Sequence, residues 1–470
     1  MGAENHAKIQ AFWAKPLHTP ASGGIIRPLF IRSSARFKLV TDQQANSQYP
    51  IIVPRSEHRI SRADISDNAL KVLYRLKNAG YQAYLVGGGV RDLSLGREPK
   101  DFDVATDAHP EEVRALFRNC RLIGRRFRLA HVHFGPEIIE VATFRALHDG
   151  SADNGDVQLE NGRIIRDNAY GTLAEDAMRR DFTINALYYN IADFSVVDHA
   201  GGMQDLEHGV VRLIGDPQVR FREDPVRMLR AVRFAVKLGF RIESETAGVI
   251  PRMADLLEDV PAARLFDEIL KLLMSGVGVA TLEALRQYDV FSRMFPLTEA
   301  SLARDSHGTR SLFIARALAN TDQRIADGKP VTPAFLFAAL LWPAVQEAFG
   351  KRLEEDDLPQ MAALQAAADD VVVDQLQSVA IPKRFSVPMR EVWLMQPRFE
   401  RRNNRRAARM ITHPRFRAAY DFLLLRGEAG EADPELVSWW REYVEREGGA
   451  PPPDVDSAPR RRRRRRRKPA

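Results

Sequence analysis

The stretch "LVGGGVRDLSLGREPKDFDVATDA", residues 85–108, sets three consecutive glycines after an apolar run and then two aspartates one residue apart. The apolar "YQAYLV" predicts a strand running into Gly87, Gly88 and Gly89, and "DFDVAT" predicts the next strand after the turn "GREPK". Side chains alternate faces along a strand, so Asp101 and Asp103 project to one side while Phe102 and Val104 go to the other. Two carboxylates so placed repel each other unless a cation lies between them, and a hard, oxygen-seeking ion such as Mg2+ is the natural candidate. A third acid, Glu140, stands between Ile139 and Val141 in "IIEVATF", as an inward-facing acid on a neighbouring strand would. Three such carboxylates can hold two Mg2+ ions, one lowering the pKa of an attacking hydroxyl and the other stabilising the leaving oxygen. The glycines let backbone N–H groups approach a triphosphate, and Arg91 can neutralise its charge. Taken singly, each part has a plainer reading: a turn, solvated strand acids, a salt-bridge partner.

The surrounding pattern predicts an α/β unit. "SDNALKVLYRLKNAG" puts Ala69, Val72, Leu73 and Leu76 on one helical face, with Ser66 or Asp67 as N-cap and Gly80 as terminator. Pro110 opens a second helix with acids in its first turn, and "HVHFG", "EIIEVATF" and "ALYYNI" predict further strands. Helices and strands thus alternate over residues 65–200 around a mixed sheet. Beyond Gly202 the spacing is helical almost throughout, and no repeat of fixed period stands out.

Charge is distributed unevenly. The net charge is +7, yet Arg460 to Arg467 with Lys468 carry nine positive charges, which leaves about −2 on everything else. A block of like charges cannot fold on itself, and its natural partner is a polyanion; a plain solubility tail is the alternative. Residues 1–50 lack periodicity and read as a disordered extension. No apolar run is long enough to cross a membrane, and the lone Cys120 rules out an intrachain disulfide and reads as a small buried hydrophobe. A reducing, cytoplasmic setting is expected.

The order Gly-Gly, D-x-D, apolar-acid-apolar strand resembles the DNA polymerase β-like nucleotidyltransferases over residues 80–145. Two more stretches, "RRDFTINALYYN" (179–190) and "EDPVRMLRAVRF" (223–234), resemble the ribose-reading and base-reading motifs of the family that joins bacterial poly(A) polymerases and bacterial tRNA nucleotidyltransferases. The resemblance implies that Asp181 with Arg180 contacts the sugar and that Asp224 and Arg227, three apart on a helix, face the base; an acidic cap followed by exposed arginines is the alternative. "LIGRRFRLAHVHF" (122–134), "FGPEIIEVATFR" and the arginine-rich end are similar to the poly(A) polymerase branch, and that similarity spans roughly residues 50–425, weakening after about 290.

It implies an α+β chain organised as an extension (1–50), a nucleotidyltransferase head (51–200), a helical base-reading neck (201–265), a helical RNA-binding region (266–445) and a disordered basic tail (446–470). The implied activity is template-independent addition of AMP from ATP to RNA 3′ ends with release of pyrophosphate, promoting RNA decay. RNA-decay proteins are implied as possible partners, and a monomer is expected. In "PRFERRNNRRAARM", Arg398, Arg402, Arg405, Arg406 and Arg409 fall at helical spacing and suggest a basic stripe for RNA phosphates, or else a solvated face. The competing functions are a CCA-adding tRNA nucleotidyltransferase and an RNA-binding scaffold that has lost catalysis.

Overall fold

The computed structural model describes residues 50–124, 128–147, 157–160, 163–167 and 169–447. The expectations for the N-terminal extension, for Arg125, Arg126 and Phe127, and for the basic tail therefore lie outside the described residues. The chain divides into two compact units between Met253 and Ala254, so residues 201–253 group with the sheet.

The first unit is built on a mixed sheet in the order β1-β10-β9-β2-β3-β6-β5-β4. Its strands are β1 (Ile51–Val53), β2 (Ala83–Val86), β3 (Asp103–Thr106), β4 (Cys120–Ile123), β5 (Leu129–Phe134), β6 (Glu137–Thr143), β9 (Leu187–Asn190) and β10 (Val196–Asp198); a separate hairpin pairs β7 (Val157–Glu160) with β8 (Arg163–Asp167). Only β3 and β6 run parallel within the large sheet. The helix Asp67–Asn78 forms as its spacing predicts: Ser66 accepts a hydrogen bond from the Ala69 N–H as N-cap, Ala69, Val72, Leu73 and Leu76 are buried, and Gly80 takes a φ of +93° after the end. It packs on β2, β3 and β6, and Asn68 donates to Glu137 on that face at 2.5 Å. Ile139, Val141 and Thr143 are buried there, while Ile138, Glu140 and Ala142 on the opposite face are not. One face of the sheet is thus sealed; on the other, Tyr84, Val86, Ala105 and Tyr188 are buried too, and the sheet opens only around Asp103 and Glu140.

Two sequence expectations shift. β3 starts at Asp103, so Asp101 and Phe102 lie in the approach to the strand rather than within it. Cys120 is half-buried in the edge strand β4 rather than in the core, with burial raising its thiol pKa. The three- and four-residue strands β1, β4 and β10 were not legible, because so few positions give alternation no room to register.

Asp198, fully buried at the end of β10, accepts hydrogen bonds from the backbone N–H groups of Ala200, Gly201, Gly202 and Met203 at 2.9–3.0 Å. It thereby organises the start of the helix Gly202–His208, where a Cβ on Gly202 would meet the Thr183 carbonyl oxygen at 2.2 Å.

The second unit is helical. The long helix Pro333–Glu355 packs against Pro296–Ala303, Thr309–Ala326, Gln360–Ser378 and Lys383–Phe399, and the buried Trp393 indole donates to the Ala338 carbonyl at 3.0 Å. A second cluster around Trp440, Phe399 and Phe416 joins the last helices, with the Trp440 N–H on the Phe399 carbonyl at 2.9 Å. Among the described residues no helix is long and apolar enough to cross a membrane.

Asp198→Ala should leave four N–H groups, two of them buried, without their charged acceptor and cost about 3 kcal/mol or more. Urea denaturation reads this as a lower midpoint, and an unchanged midpoint would show that water replaces the carboxylate without loss.

Candidate active site

Strand pairing builds the centre of the open face. In register, Val86 stands opposite Asp103, Asp103 opposite Glu140, and Glu140 opposite His131. Residues paired across neighbouring strands project to the same side, so Asp103 and Glu140 are side by side. Burial, then the Glu140 charge, push the Asp103 carboxyl up to about 6, while Arg180 pulls it back; Asp101 adds to the repulsion. His131, which the sequence reading missed, places Nε2 at 3.2 Å from Glu140 Oε2. Among the described residues no three carboxylate, imidazole or thiol groups stand as a ready-made metal cluster. The expected three-acid centre is an adjacent Asp103–Glu140 pair within reach of the Asp101 charge, and His131 meets one oxygen of Glu140. An all-oxygen set in which the Glu140 and Asp101 charges raise the Asp103 pKa fits a hard divalent cation, which would relieve that repulsion.

The glycine turn carries the complement. Gly87 has φ +69° and ψ −133° and precedes the short helix Gly88–Ser94. A side chain there would be strained, and its Cβ would come within 3.5 Å of Arg180 Nη1. Arg180 donates to the Tyr188 hydroxyl at 2.8 Å and to Asp176 at 3.1 Å, and the Tyr188 hydroxyl donates to Asp176 at 2.6 Å. Burial opposes the Arg180 charge, but Tyr188 and Asp176 outweigh it and hold the guanidinium protonated. Arg91, expected to meet phosphate directly, is 4% exposed and clamped: it donates to Asp92 at 2.8 Å and to Asn185 at 2.7 Å, beside Gly88.

Asp181 is more heavily engaged than its motif suggested. Oδ1 accepts from the Phe182 N–H at 2.8 Å and from Asn185 at 3.1 Å, while Oδ2 takes both Nε and Nη2 of Arg230. Burial alone would raise its pKa, but Arg230 and Asn185 bring it to about 2. Those bonds fill a carboxylate's four acceptor positions, so a sugar hydroxyl must share or displace one. Arg91, Arg230 and Arg233 all lie within 5.3 Å of the Phe234 ring centroid, packing the arginines around one aromatic ring.

Asp224 and Arg227 do not share a helix. Asp224 follows the helix Pro217–Glu223 with an extended φ of −151°, and Arg227 lies in the first turn of Val226–Leu238. Pro225 causes the break, since proline disfavours helical geometry in the residue before it. Asp224 Oδ1 accepts from the Val226 N–H at 3.3 Å, and Arg227, 12% exposed, donates to Glu223 and to the Arg220 carbonyl at 2.8 Å each. The plainer reading is met only in part: Pro225 rather than Asp224 is the N-cap, and Arg227 is not exposed.

In the helical unit the five RNA-binding arginines are likewise divided. Arg398 is in the last turn of Lys383–Phe399, Arg402 is in the connector, and Arg405, Arg406 and Arg409 belong to Asn404–Ile411, which Asn403 caps by accepting from the Arg405 and Arg406 N–H groups. The single continuous stripe is therefore corrected: Asn403 starts a new helix. Arg402 is paired with Asp433 and Glu435, whereas Arg405, Arg406 and Arg409 are exposed around the buried Ala407.

Three family models match: the poly A polymerase head domain over residues 83–212, the probable RNA and SrmB- binding site of polymerase A over 239–302, and the polymerase A arginine-rich C-terminus over 356–470. The poly(A) polymerase I of Salmonella typhimurium is 53% identical over 407 residues, covering 86% of this chain and 87% of that protein. The chain belongs to the bacterial poly(A) polymerase I family. The implied enzyme class, a polynucleotide adenylyltransferase, holds. The CC-adding tRNA nucleotidyltransferase of Halalkalibacterium halodurans is 38% identical over 45% of this chain and 49% of its own. In fold, the Bacillus stearothermophilus CCA-adding enzyme in complex with CTP matches with a TM-score of 0.54 at 25% identity, over 80% of this chain and 82% of that one. The head-plus-helices architecture expected from the sequence is thus the one found.

Of the residues missed, Asn185, Arg230 and His131 lie inside quoted stretches but carry no signal of their own, and Asp176 joins the site only through its bonds to Arg180 and Tyr188.

Asp103→Asn should abolish activity yet leave the metal-free protein at least as stable. A folded-state pKa raised from an ordinary 3.8 to about 6 means the native carboxyl holds its proton more tightly, so stability falls as pH rises between those values. Melting curves without metal should therefore converge near pH 4 and favour the variant at pH 7.5, and Mg2+ should stabilise the parent more. A variant that melts lower at pH 7.5 and keeps the full Mg2+ response would remove the Asp103–Glu140 repulsion from the account.

Proposed function

We propose that the chain extends RNA 3′ ends with AMP taken from ATP, without a template, and that the reaction centres on Asp103 and Glu140 with Asp101 beside them. The observation that carries this is the Asp103–Glu140 register next to Arg180 and the Gly87 turn, in a chain 53% identical to a poly(A) polymerase. Asp101, Asp103 and Glu140 are the oxygen donors that Mg2+ would take; bound there it would neutralise phosphate charge and acidify the attacking 3′ hydroxyl. Gly87 and Gly88 leave room for phosphate against backbone, and Arg180, fixed by Tyr188 and Asp176, presents lasting positive charge toward it. Asp181, with Arg230, orients the sugar. Asp224 and Arg227 offer an acceptor and a donor to the base, and protein groups rather than a template strand make the choice.

Asp103→Ala and Glu140→Ala should each lower AMP incorporation by at least about a hundredfold, or about 2.7 kcal/mol, with RNA affinity kept. Incorporation on a generic RNA with each nucleotide supplied singly checks both the residues and the class: ATP alone should give long products. Additions ending after three nucleotides and needing CTP would instead indicate CCA addition.

The exposed face of Asn404–Ile411 is proposed to track RNA phosphates. Replacing Arg405, Arg406 and Arg409 together by alanine should reduce the slope of log K against log salt by about two, at roughly 0.7 per contact on a single strand. Arg402→Ala should change it little, because its charge is already met by Asp433 and Glu435. Parallel salt plots for the triple variant and the parent would remove this helix from the RNA path.

A further inference from the structure

Arg220 has no place in the chemistry so far, yet its guanidinium is bonded to three separate partners. It lies in the helix Pro217–Glu223, 12% exposed. Its Nη2 donates at 2.6 Å to the carbonyls of both Arg179 and Arg180, the two residues before Asp181. Its Nη1 donates to Glu223 at 2.7 Å, the same carboxylate oxygen that holds Arg227, and its own carbonyl accepts from Arg227. Nε is buried without a partner. The neighbourhood is hostile to it: burial and Arg227 lower its pKa to about 10, and burial with Arg145, Arg220 and Arg227 lowers that of Arg179 to about 9. Crowding guanidiniums around one glutamate is a poor way to gain stability, since desolvated like charges repel. The geometry makes sense if the contacts fix a position.

We infer that Arg220 is a positioning residue that locks the sugar-orienting turn at Arg179–Asp181 to the base-facing Asp224–Arg227 segment, so that ribose and base are read in one fixed register. The inference rests on the base-reading role proposed above for Arg227. One planar guanidinium reaches two successive carbonyls on one side and a carboxylate on the other, which a flexible ammonium cannot do at once. Backbone bonds from Ile214 N–H to the Asp181 carbonyl and from Thr183 N–H to the Arg212 carbonyl hold the base of the same turn, so Arg220 is the side-chain tie at its other end. If the tie is cut, Arg227 loses a shared partner and the turn before Asp181 loses its anchor. The consequence is misplacement of the base relative to the reacting phosphate, and the loss falls on discrimination.

The test is a competition in which ATP and CTP are present together and the ratio of incorporated AMP to CMP is read; that ratio does not depend on how much of a variant is folded. Arg227→Ala should lower it at least about tenfold, Arg220→Gln at least about fivefold, and Arg220→Lys should restore little. The double variant should discriminate no worse than Arg227→Ala alone, because both changes act through one element. A ratio within twofold of the parent for Arg220→Gln, or a double variant whose losses multiply, overturns the inference while leaving the base reader in place. An unchanged ratio for Arg227→Ala overturns the base reading itself and the inference with it.

Discussion

The parallel pairing of β3 with β6 is the constraint on which the site depends. In a sheet otherwise made of antiparallel neighbours, this one pairing sets Asp103 beside Glu140 on the open face and turns their hydrophobic neighbours Val104 and Val141 toward the sealed one. A slip of one residue would invert both sets, burying the acids under the helix Asp67–Asn78. The core that fixes the register therefore also fixes the acids. Their mutual repulsion is tolerated because the sealed face, with Ile139, Val141 and Val104 at most 2% exposed, supplies the burial that holds the strands together.

Against this acidic pair the first unit sets an arginine lattice in which nearly every guanidinium is aimed by a specific partner: Arg91 by Asp92 and Asn185, Arg180 by Asp176 and Tyr188, Arg220 by Glu223 and two carbonyls, Arg230 by Asp181. Directional bonds to a fork-shaped cation orient it before any substrate arrives. Preorganised charge of this kind needs no rearrangement when an anionic group develops or departs, which is where electrostatic stabilisation is largest. In the proposed function the acids and arginines are complementary halves, one for cations and the other for phosphate.

Much of this was legible in the sequence, for physical reasons. Glycine at 87 is forced by its positive φ, and alternation separated Glu140 from Ile139 and Val141, although it is those two and not the acid that face the buried side. Asp181, Asp224 and Arg227 stood out through motif resemblance, but their partners did not, because Asn185, Arg230 and Arg220 reach them through turns that periodicity does not describe. The reading of 223–234 as one helix failed at Pro225, and that of 397–410 failed at Asn403, where a side chain caps a new helix in the middle of basic residues. Local breaks depend on single cap contacts, which composition averages away.

In the proposed function Asp103 and Glu140 form a repelling acidic pair, only partly offset by Arg180 and His131, that receives a divalent cation. A carbon-detected NMR titration of the Asp103 carboxyl in metal-free protein tests it most directly. The account predicts a midpoint near 6, falling well below that when Mg2+ is added. A midpoint close to the ordinary 3.8, unmoved by Mg2+, would contradict it.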